Sequence, residues 1–209
     1  FVKMGIIKDE EQLRKLYEYP KGRAAIKVIN ELEQHSKEFL KLSPFVVISS
    51  IGADGIADAS PRGDGKGFVK IKDNRTIIIP DRSGNNRLDT LQNIIANSTI
   101  GLLFFIPGIN EVLRINGNGY IEDDIDLCSE FKIKNNVPKS CILINIKEIY
   151  MHCAKAIMRS SLWDPSSYLA ANDFPTISRI INDQINSNDD LKNHQQEEQR
   201  YREQIDNFG

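Results

Sequence analysis

The 209 residues are 40% apolar and 27% charged, which fits one globular domain with appendages better than two full domains. A formal net charge of −2 excludes a nucleic-acid binder that relies on overall basicity, although a local basic patch can still hold a phosphate. No apolar run approaches the roughly 20 residues that span a bilayer, and the opening Phe1-Val2-Lys3-Met4 lacks the apolar stretch of a secretory signal.

Residues 9–19 read as a short helix stopped by Pro20. Over residues 22–42, Ala25, Val28, Ile29, Leu32 and Phe39 recur at roughly helical spacing, which predicts one long amphipathic helix ended by Ser43-Pro44. The pattern then turns to strands. FVVISSI (Phe45–Ile51), a Gly52-Ala53-Asp54-Gly55 turn and residues 56–60 predict a hairpin. Residues 68–71 and 75–80 form a second strand–turn–strand about Asp73-Asn74. A helix over residues 85–97 would bury Leu88, Leu91, Ile94 and Ile95. TIGLLFFI (99–106), residues 111–121 and CILINIKEIYM (141–151) are strands, with a helix over 123–133 between the last two. The tail after Trp163 is polar and helical near residues 195–205, and the Asn-rich stretch 182–193 reads as a loop or frayed helix. With about six strands joined mostly by short turns, the middle of the chain predicts an antiparallel barrel rather than a doubly wound sheet.

Four segments carry candidate chemistry. In IIIPDRSGNNRLDTLQNIIAN a strand runs through a polar turn, Asp81-Arg82-Ser83-Gly84-Asn85, into a helix. Free N–H groups at the helix start, with Arg82 and Arg87 beside them, make a phosphate cradle; a solvated turn with an Asn or Ser cap is the equal alternative. ADASPRGDGKGF carries Arg62, Asp64 and Lys66 among three glycines. It is either a loop that lies against a flat ligand with Arg62 on a phosphate, or an ordinary hairpin loop. In EVLRINGNGY, Arg114 and Asn116 share a strand face with Val112, toward a polar pocket or toward solvent. HCAKAIMRSSLWDP holds the single Trp, Trp163, with Lys155 and Arg159 one helical turn apart. It suits an aromatic anion, or it is a core Trp with surface cations.

Cys128, Cys141 and Cys153 are odd in number and lack CxxC spacing, so they imply neither a disulfide framework nor a zinc site and point to a reducing, cytoplasmic setting. His35, His152 and His194 are too scattered to predict a metal centre.

Taken in order, SPFVVISSIGADGIADASPRGDGKGF, IPDRSGNNRLDTLQNI, GLLFFIPGINEVLRINGNG and HCAKAIMRSSLWDP resemble the pyridoxamine 5'-phosphate oxidase-like, FMN-binding split-barrel family, and within it a bacterial branch of flavin-binding proteins. The resemblance covers residues 43–165. It implies a mainly β chain: a six-stranded antiparallel split barrel with flanking N- and C-terminal helices. The parts would be N-terminal helices (1–42), the barrel core (43–165) and a helical tail (166–209). It further implies a homodimer with FMN in a cleft between subunits, and no nucleic-acid or membrane partner. Arg62 matches the family's phosphate-binding strand Arg; Arg87 stands where the oxidase has a Lys, and Asn86 where it has an Arg. Arg82 would compensate for that lost charge. Asp81, Ser83, Asn85 and Arg114 complete the candidate set on one subunit, and Lys155, Arg159, Ser160 and Trp163 are candidates to approach the flavin ring of the other. The oxidase's C-terminal Arg-x-His signature is missing after Trp163, so the resemblance supports FMN binding more than vitamin B6 oxidation. A flavin-dependent oxidoreductase is the expectation; a non-catalytic carrier or sensor, or a barrel using a deazaflavin or haem, are the alternatives. No general acid or base stands out.

Overall fold

The structure, a computed structural model, describes residues 5–208, so the segment read as lacking a secretory signal lies outside the described residues. Helix α1 (Glu10–Leu16) starts where the Asp9 carboxylate accepts the Gln12 amide at 2.8 Å. The single helix expected over 22–42 is two: α2 (Arg23–Ile26) and α3 (Gln34–Leu42). The interruption has a tertiary cause. Ile29 leaves the helical path to exchange two backbone hydrogen bonds with Ile149, at 3.0 and 2.8 Å. The Leu32 amide then donates to the Asn74 carbonyl at 2.7 Å. Satisfying an otherwise open strand edge outweighs the small helix propensity of Val28-Ile29. Glu33 restarts the helix by accepting the His35 and Ser36 amides.

The remaining elements are β1 (Phe45–Ile51), β2 (Ala57–Gly63), β3 (Lys70–Asp73), β4 (Thr76–Pro80), α4 (Asp89–Ala96), β5 (Thr99–Phe105), β6 (Val112–Glu122), α5 (Ile125–Ser129), β7 (Cys141–His152), α6 (Lys155–Ser160), α7 (Ile177–Ile185) and α8 (His194–Phe208). The strands form one antiparallel sheet in the order β2-β1-β5-β6-β7-β4-β3. It has seven members rather than the six that the resemblance implied, the four-residue β3 forming one edge beside β4. The helix expected over 123–133 is only the five-residue α5, and α7 occupies the start of the Asn-rich stretch.

The inner face carries the core: Val46 and Ile48 from β1, Ile77 and Ile79 from β4, Leu102 and Phe104 from β5, Leu113 and Ile115 from β6, and Ile142, Ile144 and Ile149 from β7. Leu32, with Phe39 and Leu40 of α3, and Ile94 of α4 close over it. A smaller cluster of Ile78, Cys128, Phe131 and Cys141 covers the other face of β4 and β7 beneath α5. The parity of β7 changes midway. Asn116 pairs with Glu148 but Gly117 with Ile146, so Lys147 is an extra residue. This β-bulge puts Ile144, Ile146 and Ile149 on the inner face and turns Glu148, Tyr150 and His152 outward.

Candidate functional site

β2 and β4 stand five places apart in the sheet order, yet their ends meet. The Arg62 Nη1 donates to the Asp81 carboxylate at 2.7 Å, and the Arg82 Nε to Asp64 at 2.8 Å. These crossed ion pairs are well shielded, the side chains being 16–22% exposed. A second Arg82 nitrogen reaches the Phe131 carbonyl at 2.7 Å. The sheet therefore curls until its β2 edge is held to the connector after β4 by arginine–aspartate pairs. Inner-face register on β2, where Arg62 pairs opposite Val46, is what turns Arg62 toward this seam.

Among the described residues, one atom at the seam lacks a partner: the Arg62 Nε is buried and has no hydrogen-bond acceptor there. A desolvated guanidinium donor left unpaired is costly, and an oxyanion is its natural complement. The segment after Asp81 carries the other expected residues. Ser83, Gly84, Asn85, Asn86 and Arg87 are exposed. Asn86 (φ 60°) and Leu88 (φ 61°) hold left-handed backbone, a conformation that costs a residue with a side chain roughly 1–2 kcal/mol. Such strain is a recurrent mark of functional loops.

The helix expected from residue 85 begins only at Asp89, so Arg87 precedes it rather than lying in its first turn. The cause is the pair of left-handed residues, which no α-helix accommodates. Leu88, at the cap position, offers no capping side chain, so first-turn amides of α4 lack a side-chain acceptor. Arg87 pairs with Asp89 at 2.9 Å; that hydrogen bond and charge, with a contribution from Asp58, push its guanidinium pKa up. Asp58 sits on β2 and accepts from Asn93 of α4 at 2.6 Å, so α4 is moored beside β2, the strand that carries Arg62. Arg62, Arg82 and Arg87 thus gather along β2 and the connector that follows β4, each balanced by an aspartate. An arriving phosphate would compete with those carboxylates as well as satisfy the open Nε.

A match to the pyridoxamine 5'-phosphate oxidase family spans residues 32–153, more than half of the chain. The chain belongs to that family. Its match takes in the seam and all seven strands but ends before α6. No curated protein matches the chain in sequence. Similar solved structures include the HupZ protein of Group A Streptococcus, at 16% identity and TM-score 0.46 over 57% of this chain and 93% of that one. An FMN-binding protein of Syntrophomonas wolfei is 10% identical, with TM-score 0.45 over 56% of this chain and 83% of its own. A Clostridium acetobutylicum protein related to general stress protein 26 is 14% identical, with TM-score 0.42 over 56% and 87% of the two chains. The assignment rests on the family match, not on these likenesses.

The other expected residues lie apart from the seam. Lys155, Arg159 and Ser160 are exposed on α6, and the Ser160 hydroxyl donates to the Ile157 carbonyl at 3.0 Å. Trp163 is half-buried, its Nε1 donating to Ile109 in the β5–β6 turn at 2.9 Å. Arg114 is on the outer face, bonded to Asn116 at 3.2 Å and to the Tyr150 hydroxyl at 3.0 Å. Sequence reasoning missed Lys27, Tyr150 and His152, which surround Arg114. Strand parity counted from Ile142, Ile144 and Ile146 turns residues 150 and 152 inward; the Lys147-Glu148 dipeptide before Ile149 was the available sign of the bulge that turns them out.

Cys128 and Cys141 are free thiols 3.9 Å apart. Burial and the neighbouring Cys128 push Cys141 up to about 12, so it is no nucleophile at neutral pH. Among the described residues no cluster could hold a metal ion, and no helix is long and apolar enough to cross a membrane.

Proposed function

We propose that the chain binds FMN as a homodimeric split barrel and acts as a flavin-dependent oxidoreductase on a small molecule. The observation that carries this reading is the unpartnered, buried Arg62 Nε at a seam that also holds Arg82, with Arg87 further along the same connector, within a chain of this family. Arg62, Arg82 and Arg87 would hold the phosphate, with Asp81 positioning Arg62. Ser83, Asn85 and Asn86 and the open first turn of α4 would supply further donors. The partner's Lys155, Arg159, Ser160 and Trp163 would approach the ring, whereas Arg114, on the outer face, stands apart from this cleft. Bound FMN supplies the electron chemistry; the protein contributes the anchor and positive charge near the ring, which favours an anionic reduced cofactor. In this reading residues 43–165 are the binding core, 1–42 and 166–209 are flanking helical segments, and the protein works in the cytoplasm without a nucleic-acid or membrane partner.

The deciding experiment is spectroscopic. Purified protein is incubated with FMN, freed of excess, and its visible spectrum recorded before and after NADH or NADPH. Flavin bands that bleach with turnover support the enzyme. Bound flavin that no donor reduces selects the carrier or sensor, and failure to retain FMN rejects the flavin reading.

A further inference from the structure

A second concentration of positive charge lies on the opposite face of the sheet. Arg114 on β6, and Tyr150 and His152 on β7, are half-buried there, and Lys27 reaches them from the segment after α2. The Lys27 ammonium sits 4.7 Å from the centre of the Tyr150 ring and donates to the Met151 carbonyl at 2.9 Å. The Arg114 guanidinium lies 5.6 Å from the same ring and bonds its hydroxyl. The His152 imidazole is 4.9 Å from that ring. Neither Lys27 nor Arg114 pairs with a carboxylate among the described residues. The nearest acid in the network, Glu148, is spent on Asn116 at 3.0 Å. This contrasts with the seam, where every arginine has its aspartate.

We propose that Lys27, Arg114, Tyr150 and His152 form a binding site for a compact oxyanion, a carboxylate or phosphate carried by a small molecule. Two fixed cations without counter-ions, one of them half-buried, favour an anion strongly because little water remains to screen them. The planar Arg114 fork suits two oxygens at once. Tyr150 and neutral His152 can add uncharged donors. If the Arg62 seam holds FMN, this oxyanion belongs to the reaction partner; the site itself stands without that reading.

His152 is a built-in reporter. Burial, then the charges of Arg114 and Lys27, hold its pKa below 6.5. Among the described residues, those two cations and the Tyr150 phenol are the ionisable groups placed against it. A bound anion offsets the cations and must raise the His152 pKa, and removing either cation must raise it too.

The test uses the full chain without flavin, with inorganic phosphate as probe against chloride at equal ionic strength. Imidazole proton resonances are followed by NMR, and His152→Asn identifies the His152 signal. Phosphate is expected to raise the pKa of His152 but not of His35 or His194. Arg114→Gln should weaken phosphate binding about ten- to a hundredfold and raise the His152 pKa in phosphate-free buffer. Lys27→Gln, at an exposed side chain, repeats the test without disturbing the sheet. A His152 pKa indifferent to phosphate overturns the site. So does phosphate binding that survives both substitutions but is lost in Arg62→Ala, which would place the anion at the seam. A normal His152 response in protein that never retains FMN leaves this site standing and removes the flavin reading.

Discussion

Arg62 is caught between two partners. Its Nη1 is committed to Asp81 while its Nε is buried and open, so the same side chain closes the sheet and offers a donor. The two roles separate experimentally. If it anchors phosphate, Arg62→Ala weakens FMN about ten- to a hundredfold, the worth of a charge-assisted hydrogen bond, and leaves riboflavin nearly untouched. Equal losses for both ligands would mean that Arg62 only closes the sheet. The variant should also lose up to about 3 kcal/mol of stability, since Asp81 is left shielded and unpaired. Thermal melts without ligand measure that part. Arg87→Ala should show the phosphate effect with little change in melting, because its side chain is 72% exposed. Asp81→Asn keeps the shape and removes the competing charge, so FMN titration should find affinity equal to or higher than in the parent. A clear loss would show that the carboxylate's grip on Arg62 matters more than its competition.

At the scale of elements, the strands were legible because short, continuous β-rich apolar runs bounded by turn residues, such as FVVISSI and TIGLLFFI, became β1 and β5 within a residue. The helices were less so, for reasons outside their own segments. Ile29 broke the expected N-terminal helix by pairing with a strand 120 positions later, and the start of α4 was delayed by left-handed Asn86 and Leu88. At the seam, the sequence pointed to Arg62, Asp81, Arg82 and Arg87 but not to the Arg62–Asp81 and Arg82–Asp64 pairings, because those pairs join segments that meet only when the sheet curls; Arg87 pairs locally with Asp89. The bulge on β7, whose sign in the sequence was the Lys147-Glu148 dipeptide, sits opposite Gly117: a methyl there would run into the Asn145 carbonyl, a backbone atom that cannot step aside. Gly117→Ala should therefore cost about 1–3 kcal/mol in denaturant unfolding, and it should broaden the His152 resonance by disturbing the strand that presents it. An unchanged melt would mean that the bulge tolerates a side chain. Trp163 is tied to the β5–β6 turn through Ile109, which places α6 but does not decide what its ring meets. A ring contact with flavin predicts that Trp163→Leu shifts the bound-flavin spectrum and weakens riboflavin as much as FMN. Unchanged spectra and affinities would leave Trp163 as the clasp between α6 and the hairpin.

For the whole molecule, the unequal covering of the sheet matters most. α5 and its neighbours shield the outer face of β4 and β7, whereas among the described residues no such cluster covers that of β1 and β5. There Phe45 is 38% exposed, Val47, Leu103 and Phe105 are half-exposed, and Pro61 lies beside them on β2. Phe45 and Phe105 already pack across the strands as a tilted pair, their ring centres 6.1 Å apart. A contiguous apolar face of this kind on a sheet interior fits burial against another copy, since a two-fold contact needs only one self-complementary patch. The cationic group at Arg114 borders it, because Arg114 pairs directly with Leu103. A dimer formed here would set that group at the rim of the interface, where residues of both subunits could meet one ligand. Light scattering at micromolar concentration with flavin bound should therefore report a dimer. Leu103→Lys should return it to monomer: it places a charge in the middle of the apolar patch while its β-strand neighbours stay paired. It should weaken FMN in parallel if the cleft needs both subunits. A parent protein that is monomeric with flavin bound would refute the pairing outright. A Leu103→Lys variant that stays dimeric would move the interface to another face.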